Sequence, residues 1–187
     1  MFVKERMSSK QLTQIAMFAA ISIVLMYFIR FPIIPVAPFL EYTPAEIPVM
    51  MAALLFGPGV GLILTVVVAV VQGMTVSAHS GIIGIIMNIF STGSYVLAAG
   101  LIYHYSRNKN TKKAVIAMLV GIAATTVVMV FWNIIFTPIF MGVPRQVVID
   151  MLVPAFIPFN LIRAGVNSVI AFVIWRAVGD LLLKQIK

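Results

Sequence analysis

The sequence predicts an all-α integral membrane protein, a six-transmembrane-helix bundle forming a single domain over residues 1–187. Three observations predict it. Of the 187 residues, 62% are hydrophobic and only 10% are charged, with a mean hydropathy of +1.12, against roughly 25% charged residues in a soluble domain. The apolar residues fall into runs near bilayer length, about 20 residues for a helical crossing, separated by charge, Pro or Gly. The basic residues stand in short blocks between those runs, as juxtamembrane charges do. The formal charge of +8 therefore points to membrane lipid, and nucleic acid is not an expected partner.

The first span, about 12–30, follows the basic residues Lys4, Arg6 and Lys10 and leads into Arg30, Phe31 and Pro32. No small-residue cleavage site follows it, which predicts an uncleaved span. Within its "AMFAA", Ala16 and Ala20 lie four residues apart on one face, a spacing that lets another helix approach closely. The next stretch, "FPIIPVAPFLEYTPAEIP", is too apolar for a solvated loop and too rich in proline for a helix. It is expected to fold back over the bundle with Phe39, Leu40 and Tyr42 as a lid, or to lie along the membrane interface. In its "TPAE", Thr43 as N-cap, Pro44 at the first helical position and Glu46 at the third predict a capping box; contact with a ligand is the other role open to Glu46.

The second span, about 45–56, is short enough to be re-entrant. The glycines and proline of "GPGVG" allow a tight reversal into the third, about 59–77. Spans four, five and six follow near 82–104, 114–140 and 155–178. Charge decides between a crossing and a re-entrant second span. The first block, the block Arg107, Lys109, Lys112 and Lys113, and the block Arg176, Lys184 and Lys187 should all face the cytoplasm. An even number of crossings then separates successive blocks, so four spans followed by two fit and both termini are predicted cytoplasmic. The acidic residues other than Glu5 and Asp180 fall in the outer segments or, for Glu46, at the outer end of span two. No internal repeat appears.

In span six, "PFNLIRAGVNSVIAFVIW" carries Asn160, Arg163 and Asn167 within about 60° of one another at the helical step. A lipid-facing Arg costs at least about 2.5 kcal/mol, so this face should point into the bundle. Two roles fit: contact with a ligand, or an Arg that snorkels while the amides bond neighbouring helices. Weaker polar faces recur at Gly81, Gly84, Asn88, Thr92 and Tyr95 in span four, at Thr126, Asn133 and Thr137 in span five, and at Thr65 and Gln72 in span three. Interhelical hydrogen bonding explains any one of them. Together they suggest a cavity, with Asn88 and Asn133 the better ligand candidates because an amide both donates and accepts.

The absences narrow the function. With no cysteine, disulfides, thiolate metal sites and haem attachment drop out, and His79 and His104 cannot alone make a metal cluster. There is no G-x-x-x-x-G-K-[ST], Ser/His/Asp set, H-E-x-x-H or pair of carboxylates within the spans. The chain reads as neither an enzyme nor an ATPase. A stand-alone secondary transporter would call for inverted repeats and a membrane-embedded acid, and the sequence suggests neither.

The "AMFAA" of the first span, the apolar loop into "PAEIP", then "FGPGVGLILTVVVAVVQG" and "IPFNLIRAGVNSVIAF" resemble the substrate-binding S component of energy-coupling factor (ECF) vitamin transporters. The resemblance covers most of the chain, is strongest in "FGPGVG" and "IPFNLIRAG", and is closest to the riboflavin-specific type. It implies a six-helix subunit of the bacterial cell membrane that captures riboflavin from outside beneath its first loop. It also implies a transmembrane coupling subunit and two cytoplasmic ATPases as partners, delivery by toppling in the membrane, and no cofactor besides the bound substrate. By the same resemblance, Ala16 and Ala20 match the first-helix motif that docks the coupling subunit. Asn160 and Arg163 match the Asn and Lys of a block that contacts the flavin. Arg in place of Lys keeps the cation but changes its shape and donors. Other S-component cargoes stay open: pantothenate, a pyridoxine-type vitamin, folate or a queuosine precursor. An anionic cargo would suit Arg163 through a bidentate carboxylate pair.

Overall fold

The computed structural model describes residues 8–107 and 109–186. Lys4, Glu5, Arg6 and Lys187, together with the side chains of Asp180 and Lys184, lie outside the described residues. The chain opens with α1 (Ser9–Phe28), whose start is fixed by a reciprocal cap: Gln11 N–H donates to Ser8 Oγ at 3.3 Å and Ser8 N–H to Gln11 Oε1 at 3.0 Å, satisfying two orphan donors. The proline-rich stretch that follows forms no helix. Its ends pair instead as two short antiparallel strands, β1 (Phe31–Pro32) and β2 (Glu41–Tyr42), with Phe31 opposite Tyr42. The expected lid is thus a hairpin folded back on the bundle.

Helix α2 (Glu46–Phe56) lies at the centre, every residue from Glu46 to Leu55 buried, as befits a helix apolar on all sides. Gly57, at φ 98°, turns the chain, a conformation open to glycine without strain. Pro58 then starts α3 (Pro58–Met74), where its missing N–H removes no bond. The α2–α3 contact is close enough that a Cβ on Gly61 would stand 2.7 Å from Ala53 Cβ and 2.4 Å from Val96 Cγ1. A 3-10 turn (Ala78–Ser80) leads into α4 (Gly81–His104), and α5 (Thr111–Met141) begins at an Asn110 cap. A short α6 (Arg145–Asp150) and a π turn (Leu152–Phe156) precede α7 (Ile157–Ile186).

The helices differ in detail from the expected spans, and the expected capping box needs correction. Seven α-helices are present among the described residues, the short α6 being additional to the six expected spans. The additional α6 and the π turn occupy the stretch around Pro144 and Pro154, where missing N–H donors break a regular helix, and Phe156 N–H bonds back to Met151 O at 3.2 Å. Span three ends at Met74 and span six runs on to Ile186. The capping box at Thr43–Glu46 does not form: Ala45 is the N-cap, and Thr43 Oγ1 accepts from Ala45 N–H at 3.3 Å. The Glu46 side chain has turned into the bundle. By length and apolarity, four helical segments suffice to cross a membrane: α1, residues 78–104, α5 and residues 152–179. With 11 and 17 residues, α2 and α3 are shorter.

Candidate functional site

A cavity of about 150 Å³ opens between α3, α4, α5, α7 and the hairpin. Gln72 on α3, Gly84 and Asn88 on α4, Asn133 on α5, and Asn160 and Arg163 on α7 line it, with Phe39 and Leu40 from the hairpin closing one side. An adjoining space of about 130 Å³ shares Phe39, Leu40, Gly84 and Asn133. The two approach the lower end of the range for small-molecule pockets, about 300–1,000 Å³. Eight of the residues singled out from sequence thus meet at one place. The Phe39 ring is braced by Phe140 and Phe156, with ring centroids 6.1 and 6.2 Å away.

The amides are held in defined orientations. Asn160 Nδ2 donates to Phe156 O at 2.8 Å. Asn133 Nδ2 donates to Met129 O at 2.6 Å, and its Oδ1 accepts from Thr137 Oγ1 at 2.9 Å. Asn88 Nδ2 donates to Gln72 Oε1 at 2.7 Å, which links α4 to α3. Two buried polar atoms on cavity-lining side chains have no protein partner, Asn160 Oδ1 and Arg163 Nε.

Tyr42, Glu46 and Asn167 do not line the cavity; they form a buried network beside it. Tyr42 Oη donates to Asn167 Oδ1 at 2.8 Å, and Asn167 Nδ2 donates to Glu46 Oε2 at 3.2 Å and to Thr43 O at 3.3 Å. Glu46 Oε1 accepts from Thr92 Oγ1 at 2.9 Å and lies 3.2 Å from Arg163 Nη2. Burial, and secondarily the Glu46 carboxylate, pushes the Tyr42 phenol above its ordinary value, so it stays protonated and donates. Asn160, Arg163 and Asn167 do share one face, but at two levels: the first two at the cavity and the third within the network.

The network overturns one reading of the sequence. A membrane-embedded acid is present, because Glu46 is 6% exposed inside the bundle. Arg163 has a protein counter-ion, so its burial does not require a charged ligand. Sequence reasoning also missed Ser91 and Phe159, both on the cavity wall. Ser91 Oγ accepts from Arg163 Nη2, and the Arg163 guanidinium carbon lies 5.5 Å from the centre of the Phe159 ring, within cation–π range. Ser91 was within reach, being three residues beyond Asn88 on the same helical face. Ala16 and Ala20 are exposed on α1 and line no part of the cavity.

A membrane-helix bundle around a cavity of mixed polar and apolar lining, closed on one side by a hairpin, defines a membrane-embedded small-molecule-binding protein. The family model for the substrate-specific component of ECF transporters matches residues 10–175, and the chain belongs to that family of bacterial membrane proteins. It is 27% identical over 188 residues to the riboflavin transporter RibU of Streptococcus thermophilus, covering 95% of this chain and 86% of that one. It is 28% identical over 184 residues to RibU of Staphylococcus aureus, covering 93% of each. To the riboflavin transporter FmnP of Bacillus subtilis it is 23% identical over 172 residues, covering 88% of this chain and 89% of that one. A solved chain described as the S component of a bacterial ECF transporter matches with a TM-score of 0.79 at 28% identity, covering 92% of this chain and 97% of that one.

Proposed function

We propose that this S component binds riboflavin from outside the cell and delivers it inward with a transmembrane coupling subunit and two cytoplasmic ATPases. The observation that carries the reading is a pair of buried polar atoms without a protein partner, Arg163 Nε and Asn160 Oδ1, on two side chains that line the cavity together with Phe39 and Phe159. Riboflavin offers the complement: a flat ring system for apolar walls, and an imide edge setting a carbonyl acceptor beside an N–H donor. Its hydroxylated chain suits the amides of Gln72 and Asn88. The names of three relatives point to the same cargo.

The chain has no ATP-binding motif, so energy must come from partners, and the exposed small pair Ala16 and Ala20 is the docking stripe for the coupling subunit. Six crossings by α1 to α5 and α7, with both termini cytoplasmic, agree with the basic blocks; α2 is the short crossing. The purified protein should quench riboflavin fluorescence with nanomolar affinity. A protein that leaves riboflavin unquenched and binds a different vitamin would overturn the cargo while keeping the class.

A further inference from the structure

Arg163 enters the cavity wall already paired. Its Nη2 lies 3.2 Å from Glu46 Oε1 and donates to Ser91 Oγ, while its buried Nε has no partner. Glu46 is closed to any ligand: besides Arg163 it accepts from Thr92 and Asn167, and it is not among the cavity-lining residues. Among the described residues, the other charged group on the wall is Glu41, which is paired with Arg30. The wall's charges therefore cancel in pairs. A carboxylate arriving at Arg163 would have to share it with Glu46, and two carboxylates on one desolvated cation repel. A neutral acceptor would satisfy the buried Nε–H and leave the Glu46 pair intact. Beside it, Asn160 has committed its Nδ2 to Phe156 O, which leaves Oδ1 to accept from a ligand donor.

We infer that Glu46 is a specificity-determining residue that acts through Arg163: it positions and neutralises the cation, so that the cavity takes an uncharged cargo bearing an acceptor next to a donor and rejects carboxylates. The inference deepens the proposed riboflavin capture and rests on it for its first ligand. On this inference the cavity favours a flavin edge over a carboxylate-bearing cargo such as pantothenate.

The test measures riboflavin and pantothenate binding by purified wild type, Glu46→Gln, Glu46→Asp, Arg163→Met and the Glu46→Gln/Arg163→Met double variant, with thermal midpoints recorded alongside. Wild type should bind riboflavin and ignore pantothenate. Glu46→Gln should weaken riboflavin binding at least tenfold, Glu46→Asp should recover most of that loss, and the double variant should bind no worse than Arg163→Met alone. Such non-additivity identifies two residues acting as one unit. The double variant should also melt above Arg163→Met, which leaves Glu46 buried without its cation. Unchanged affinity in Glu46→Gln, or losses that multiply in the double variant, would overturn the inference. Wild-type binding of pantothenate would overturn both it and the cargo. Binding of a different uncharged vitamin, with the same non-additive pattern, would overturn the cargo and support the inference.

Discussion

Arg163 carries a fixed charge into a helical bundle, and its neighbours on two other helices, Glu46 on α2 and Ser91 on α4, determine what that charge can do. Replacing it with alanine leaves Glu46 buried without its counter-ion, a loss of about 3–5 kcal/mol for a broken buried pair. Arg163→Ala should therefore both lower the thermal midpoint in detergent and weaken riboflavin binding at least tenfold. A merely snorkelling Arg would leave both unchanged. Tyr42 gives a pH signature from the other end of the network. Its phenol titrates above the ordinary 10.0, so its contribution to stability is complete below that value and is lost as pH rises through the raised one. The thermal midpoint of wild type relative to Tyr42→Phe should hold steady to about pH 9 and fall above pH 10; a constant difference to pH 11 would refute the linkage. At this scale the sequence exposed Asn160, Arg163 and Asn167 as one face, because helical period alone aligns them. It could not expose their partner. Asn167 and Glu46 are 121 positions apart, and the local "TPAE" spelling pointed to a helix cap instead.

Among the elements, the helices were legible where apolar runs were long, as in α1, α4 and α5, and the hairpin was legible as a fold-back segment through its prolines. The stretch from Gly142 to Phe156 was not, since its break into α6 and a π turn depends on how proline-interrupted backbone finds acceptors once packed. Helix α1 adds a functional prediction. Ala16 and Ala20 face away from the bundle and take no part in the cavity, so bulky residues there should leave ligand binding intact. Ala16→Trp with Ala20→Trp should abolish uptake in cells that supply the coupling subunit and ATPases, while the purified variant binds riboflavin as wild type does. Preserved uptake would remove the docking role.

For the whole molecule, the absence of cysteine makes topology directly measurable. Single cysteines placed at Lys112 and at Gln146 should react differently with an impermeant thiol reagent. Gln146→Cys should be labelled on intact cells and Lys112→Cys only after permeabilisation; the reverse pattern would invert the proposed orientation. The sequence by itself determined the class of protein, the approximate spans and the polar face of the last helix, because hydropathy, charge blocks and helical period are local properties of the chain. Only the tertiary structure decided that the polar faces of α3, α4, α5 and α7 converge on one cavity, and that Glu46 meets Arg163. Those outcomes depend on how helices rotate against one another when packed. In a low-dielectric interior a cation and an acid far apart in sequence must find each other, and no local pattern records the pair.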